Sequence, residues 1–145
     1  MSLTIDYFDN LDHSILDENV NLSIDKNDFK PEYIGRGIWH SWHLVSFNSK
    51  TEIELKVIYN FIILYVNNIL CEKCKEHANS FILKYDITDL ICDEANVYTF
   101  SEKYNLINKW LYLFHKSANS YSGKKSPSYK NVKEFYLGNN VCTDC

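Results

Sequence analysis

Apolar positions along the chain recur at steps of three and four rather than two, so the elements they predict are helices. From Arg36 to about Asn48, Trp39, His43 and Phe47 stand four residues apart and share one helical face. A second helix starts at Thr51, which makes a capping box with Glu54. Ile53, Val57, Ile58, Phe61, Ile62, Tyr65 and Ile69 follow at helical spacing, to an end near Asn68. A third runs from about Cys71 to Lys84. Thr99 with Glu102 is another capping box, and from there Tyr104, Ile107, Leu111, Phe114, Ala118 and Tyr121 mark a long amphipathic helix closed by Gly123. Ser126-Pro127 opens a short fifth helix carrying Val132, Phe135 and Tyr136. The fold class predicted is all-α, a four-helix bundle with a short fifth helix. No internal repeat, low-complexity tract or βαβ pattern competes with it.

Composition narrows this further. A chain of 145 residues builds one core, and 46% hydrophobic with 23% charged residues is too apolar for general disorder. Only four Gly and two Pro argue against a turn-rich all-β chain. The longest apolar run, Phe61 to Val66, is far short of the roughly 20 residues a spanning helix needs. No charged-then-apolar leader opens the chain, so a soluble protein of the cytoplasm is expected, with no membrane partner. Charge is uneven: residues 1–33 sum to −6 and residues 34–145 to +2. That weak basic excess is no nucleic-acid stripe. The expected organisation is an acidic extension over 1–33, a helical domain over 34–137, and a tail over 138–145 on a Gly-Asn-Asn tether.

The cysteines carry the candidate chemistry. Five fall as Cys71-Glu-Lys-Cys74, Cys142-Thr-Asp-Cys145 and a separate Cys92. Two CxxC pairs without a secretory leader point to redox or zinc chemistry rather than a disulfide framework. At a helix N-terminus, free N–H groups and the macrodipole favour the thiolate, making Cys71 and Cys74 a reactive pair. The alternative is a zinc-binding helical interaction module, using the Cys71-x-x-Cys74-x-x-His77 half-site and one tail cysteine. Trp39 with His43, and His115 with Asn119, are pairs at i, i+4. A buried histidine or asparagine needs a partner, supplied by the core or by a polar ligand between helices.

Taken in order, Gly35-Arg36-x-x-Trp39-x-x-x-His43, Cys71-x-x-Cys74-x-x-His77, and Trp110 with His115, Asn119, Gly123 and Lys124 resemble the flavin-linked sulfhydryl oxidases of the Erv/ALR type. The likeness spans roughly residues 34–137, and the short ends resemble the virus-encoded branch. It implies FAD in the bundle mouth, no metal, a homodimer, protein dithiols as substrates, and O2 as the electron acceptor, giving H2O2. By that resemblance Cys74 lies against the flavin and Cys71 is the sulfur attacked by an incoming thiolate. Gly35, Arg36 and Trp39 would line the cofactor site. His43, His77, Trp110, His115 and Asn119 match the family's cofactor-site motifs, and Lys124 matches a lysine near the phosphates, where a diphosphate needs charged donors. Cys142 and Cys145 match a shuttle pair on a tail. The chain departs from the pattern at Lys116, where the family has asparagine, and at Ser49, where many members have tyrosine.

Overall fold

A computed structural model describes residues 31–138 of the chain. Six helices occur among them: α1 (Pro31–Asn48), α2 (Glu52–Asn67), α3 (Glu72–Lys84), α4 (Thr88–Ile91), α5 (Phe100–Tyr121) and α6 (Tyr129–Leu137). The all-helical class expected from the sequence stands. The count does not: a single turn, α4, interrupts the span after α3. Four residues are too few to register as a period. Asp86 Oδ1 nevertheless accepts the Thr88 N–H at 2.8 Å, and Tyr59 Oη lies 2.9 Å from Thr88 Oγ1, which holds the turn against α2.

Helix ends follow local chemistry. Both capping boxes form, Thr51 with Glu54 and Thr99 with Glu102. Cys71 is the N-cap of α3, its sulfur accepting the Cys74 N–H at 3.3 Å. At the end of α1, Asn48 Nδ2 donates to Leu44 O (2.9 Å) and Ser49 Oγ to Val45 O (2.8 Å), satisfying carbonyls the helix leaves open. Helix α1 begins at Pro31 rather than near Arg36. Helix α6 begins two residues later than expected, with Ser128 as N-cap. The reason is tertiary: Ser126 Oγ accepts from Asn119 Nδ2 (3.0 Å) and Pro127 O from Tyr112 Oη (3.0 Å), so both residues anchor the link to α5.

Helix α5 is the axis of the bundle, packing against every other helix. Its 22 residues span about 33 Å. Ile107, Leu111 and Phe114 meet Ile58 and Ile62 of α2, Trp42 of α1 and Phe81 of α3 in one core. The apolar run of α2 divides between two faces. Leu55, Ile58, Ile62 and Val66 are buried, while Ile53, Val57, Phe61 and Leu64 are each more than half exposed. A helix apolar all round expects burial on both sides.

Apart from His43 Nδ1, the buried side-chain polar atoms of the described residues are paired. Ser46 Oγ donates to Asn108 Oδ1 (2.9 Å), Tyr104 Oη to Phe47 O (2.8 Å) and Trp110 Nε1 to Tyr85 O (2.8 Å). The fully buried Lys103 ammonium lies 2.7 Å from Glu52 and 3.8 Å from Asp93, tying α5 to the start of α2 and to the α4–α5 loop. None of the described helices is long and apolar enough to cross a membrane.

Candidate functional site

The i, i+4 pairs foreseen on α1 and α5 face one another. The Trp39 and His115 rings stack with centroids 4.4 Å apart and planes 2° from parallel. His43 Nε2 lies 3.1 Å from His115 Nδ1. Trp39 also meets Trp42 and Phe114 edge-on, each at 5.1 Å, which locks its ring. The antiparallel run of α1 against α5 brings these four-residue repeats into register.

His43 is 1% exposed, and its Nδ1 is buried with no hydrogen-bond partner among the described residues. Such an atom is costly unless something meets it. Burial, with smaller contributions from His115 and His40, pushes the His43 pKa down to about 3. Burial and the nearby Lys124 charge lower His115 to about 4. Both rings are therefore neutral near pH 7, and because one donates its N–H to the other, the pair keeps one acceptor nitrogen and one N–H outside that bond.

A cavity of about 330 Å³ opens beside this pair. His43, His115, Lys116 and Asn119 form part of its bundle-side wall, and α6 supplies residues including Asn131, Val132, Phe135 and Tyr136. That volume lies at the low end of the roughly 300–1,000 Å³ typical of ligand pockets. Tyr136 stacks on His43 at 5.3 Å, and its hydroxyl lies 3.2 Å from His40 Nδ1.

The cysteine pair stands at the same end of the bundle. Cys71 and Cys74 are joined by a disulfide, their Cα atoms 5.2 Å apart, and both are half-buried at the first turn of α3. One turn on, His77 Nε2 lies 3.1 Å from Ser117 Oγ, two residues past His115, and its ring stacks on Tyr121 at 4.5 Å. Helices α3 and α1 thus both contact the C-terminal half of α5, at Ser117 and Tyr121 and at Phe114 and His115 respectively. Cys92 is a free thiol in the α4–α5 connection.

No protein-family model, curated protein or solved structure matches the chain.

The remaining site residues fall into four groups. Gly35 lies one turn before Trp39, and a Cβ there would meet nothing within 4 Å, so bundle packing does not require glycine at this position. Arg36 and Lys124 are exposed. Trp110 is a core residue, packed on Tyr59 and Phe114, with its N–H taken by Tyr85 O. Cys142 and Cys145 lie outside the described residues. Among the described residues, no three or more His, Cys, Asp and Glu side chains are grouped to hold a metal ion.

Sequence reasoning missed His40, Ser117 and Asn131 and read Tyr121 and Tyr136 only as parts of helical patterns. The spacing of His40 and Tyr136 offered no signal, because they meet across 96 positions of sequence. Ser117 lay inside a motif whose recognised positions are His115 and Asn119.

A flavin nucleotide needs flat aromatic walls, acceptors and donors for its ring edges, and cations for its diphosphate. Of the cavity lining, His115, Phe135 and Tyr136 offer the first, His43, Asn119 and Asn131 the second, and Lys116 the third, with Lys124 near His115. The residue types fit the group, and the orphaned His43 Nδ1 is the observation that asks for one.

Proposed function

We propose that the chain is a flavin-linked thiol oxidase of the Erv/ALR type, with FAD in the bundle mouth and Cys71–Cys74 as its redox-active pair. The observation that carries this reading is the half-buried disulfide at the N-terminus of α3, whose next turn meets α5 at Ser117 and Tyr121, close in sequence to the His115 that stacks on Trp39. A structural disulfide needs no such neighbours.

The residues have definite work in this reaction. A substrate thiolate attacks Cys71 Sγ, the S–S bond breaks, and Cys74 leaves as a thiolate stabilised by the free N–H groups of α3. A second substrate thiolate then attacks the substrate sulfur of the mixed disulfide, giving oxidised substrate and a Cys71–Cys74 pair carrying two electrons. FAD, when bound, takes those two electrons and delivers them to O2, giving H2O2. Gly35, Trp39, His43, His115 and Asn119 hold the cofactor, with Lys124 at its phosphates and Arg36 at the mouth. His77 bridges cofactor site and cysteine pair. Trp110 supports the site from the core side through Phe114. The tail pair Cys142–Cys145 relays electrons from protein dithiols. The homodimer of this reading pairs α1–α2 faces, where Leu44, Val45, Ile53, Val57, Phe61 and Leu64 are exposed.

The test is the visible absorption spectrum of the purified protein, with metal content measured on the same sample. A flavin band bleached by dithiothreitol and restored by air is expected. Cys74→Ser should keep the band and lose the bleaching. A colourless protein holding stoichiometric zinc would overturn the assignment in favour of a structural CxxCxxH site.

A further inference from the structure

Helix α6 covers the His43–His115 cavity without being part of the bundle core. None of its nine residues is buried, whereas Ile107 and Leu111 of α5 are wholly inaccessible. It is held by aromatic contacts of Tyr129, Phe135 and Tyr136, by the Lys109 ammonium over the Tyr129 ring, and by single hydrogen bonds. Tyr136 lies on His43 and Phe47, and Tyr129 on Tyr112. Asn48 Nδ2 reaches Tyr136 O at 3.4 Å, and His40 meets the Tyr136 hydroxyl.

Its connection to α5 is irregular and is anchored to that helix at Ser126 and Pro127, which leaves Ser128 as the pivot for α6. Helix α5 ends before Gly123, whose φ of +68° is a conformation glycine adopts without strain. An irregular link from Lys124 leads to Ser128, whose hydroxyl caps α6 by accepting the Asn131 N–H at 3.2 Å. A helix this short is marginal away from a surface, so lifting and unwinding go together. Elements with few buried contacts open locally while the core stays closed.

We infer that α6 is a hinged lid over the His43–His115 chamber, opening to admit the ligand and closing on it through Tyr136. The identity of that ligand rests on the flavin reading; the lid itself does not. His43 is sealed in the closed state because Tyr136 lies on its exposed side, and a reagent reaching His43 has to wait for α6.

Diethyl pyrocarbonate, which modifies neutral imidazole, is the probe, applied to the full-length chain and read histidine by histidine by mass spectrometry. His77 is the internal control, since its contacts are to Ser117 and Tyr121 on α5. Ser128→Ala removes the α6 cap without touching the chamber and should speed His43 modification about fivefold. His77 and the amide exchange of α5 should not change, and Ser128→Asn, which also caps, should restore the original rate. The lid is overturned if His43 reacts no faster in Ser128→Ala, or if it speeds up only in step with the α5 amides. Added FAD should slow His43 modification. A rate that follows the cap but ignores FAD keeps the lid and overturns the flavin assignment.

Discussion

His43 and His115 are neutral because the fold makes them so, and this sets a pH dependence. Their folded pKa values, about 3 and about 4, lie below the ordinary histidine value of 6.5. The unfolded chain therefore takes up protons first as pH falls. The stability these groups contribute is complete above about pH 6.5 and is lost progressively down to about 4 for His115 and about 3 for His43. Each contributes up to about 1.4 kcal/mol per pH unit in that window. Urea unfolding between pH 7 and 5 should show the decline, and His43→Gln should flatten it. A slope unchanged in that variant would mean that His43 is not the group responsible. Lys103 offers a second residue-scale test, because its ammonium answers the partly exposed Glu52 and the buried Asp93 together. Lys103→Ala leaves a cavity and an unanswered carboxylate, so it should unfold at lower urea than Lys103→Met, which fills the space. Neither effect was visible in sequence, where Lys103 is one more charge on a helix.

At the scale of elements, the signals that were legible are those set by neighbours within one turn. Thr51–Glu54 and Thr99–Glu102 form their capping boxes because the partners are three residues apart whatever the tertiary context. Thr51→Ala and Thr99→Ala should each cost about 1 kcal/mol, measured by chemical denaturation. Leu111→Ala, at the completely buried centre of α5, should cost about 2–5 kcal/mol. Caps as costly as the core truncation would mean that α5 packs less tightly than its burial indicates. What was not legible at this scale is instructive. The start of α6 moved from Ser126 to Ser128 because Asn119 and Tyr112, on another helix, recruit the preceding residues. Helix α4 exists through its hold on Tyr59 rather than through any periodicity.

For the whole molecule, the second face of α2 is a feature without a partner among the described residues. Four large apolar side chains, each more than half exposed, line up along it beside Leu44 and Val45 of α1. A stable homodimer buries about 800 Å² per partner, and a two-helix apolar face is the kind of surface that supplies it. Val57→Glu with Phe61→Glu should convert a dimer to a monomer in sedimentation experiments while leaving helicity intact. A wild-type chain that sediments as a monomer at all concentrations would remove the dimer from the proposal. If the tail relays electrons, Cys142→Ser should leave dithiothreitol oxidation unchanged and slow the oxidation of a protein dithiol. Equal loss on both substrates would rule the relay out.

Periodicity, caps and cysteine spacing, all local properties, were enough to define an all-helical chain with a CxxC pair at a helix start. They also placed Trp39, His43, His115 and Asn119 on helical faces, since side-chain direction on a helix follows from position alone. Which faces meet is a property of packing. Only the folded bundle set Trp39 flat on His115, left His43 Nδ1 without a partner, and laid Tyr136 across the chamber. Those contacts join positions dozens of residues apart, and their geometry depends on how the whole core closes around α5.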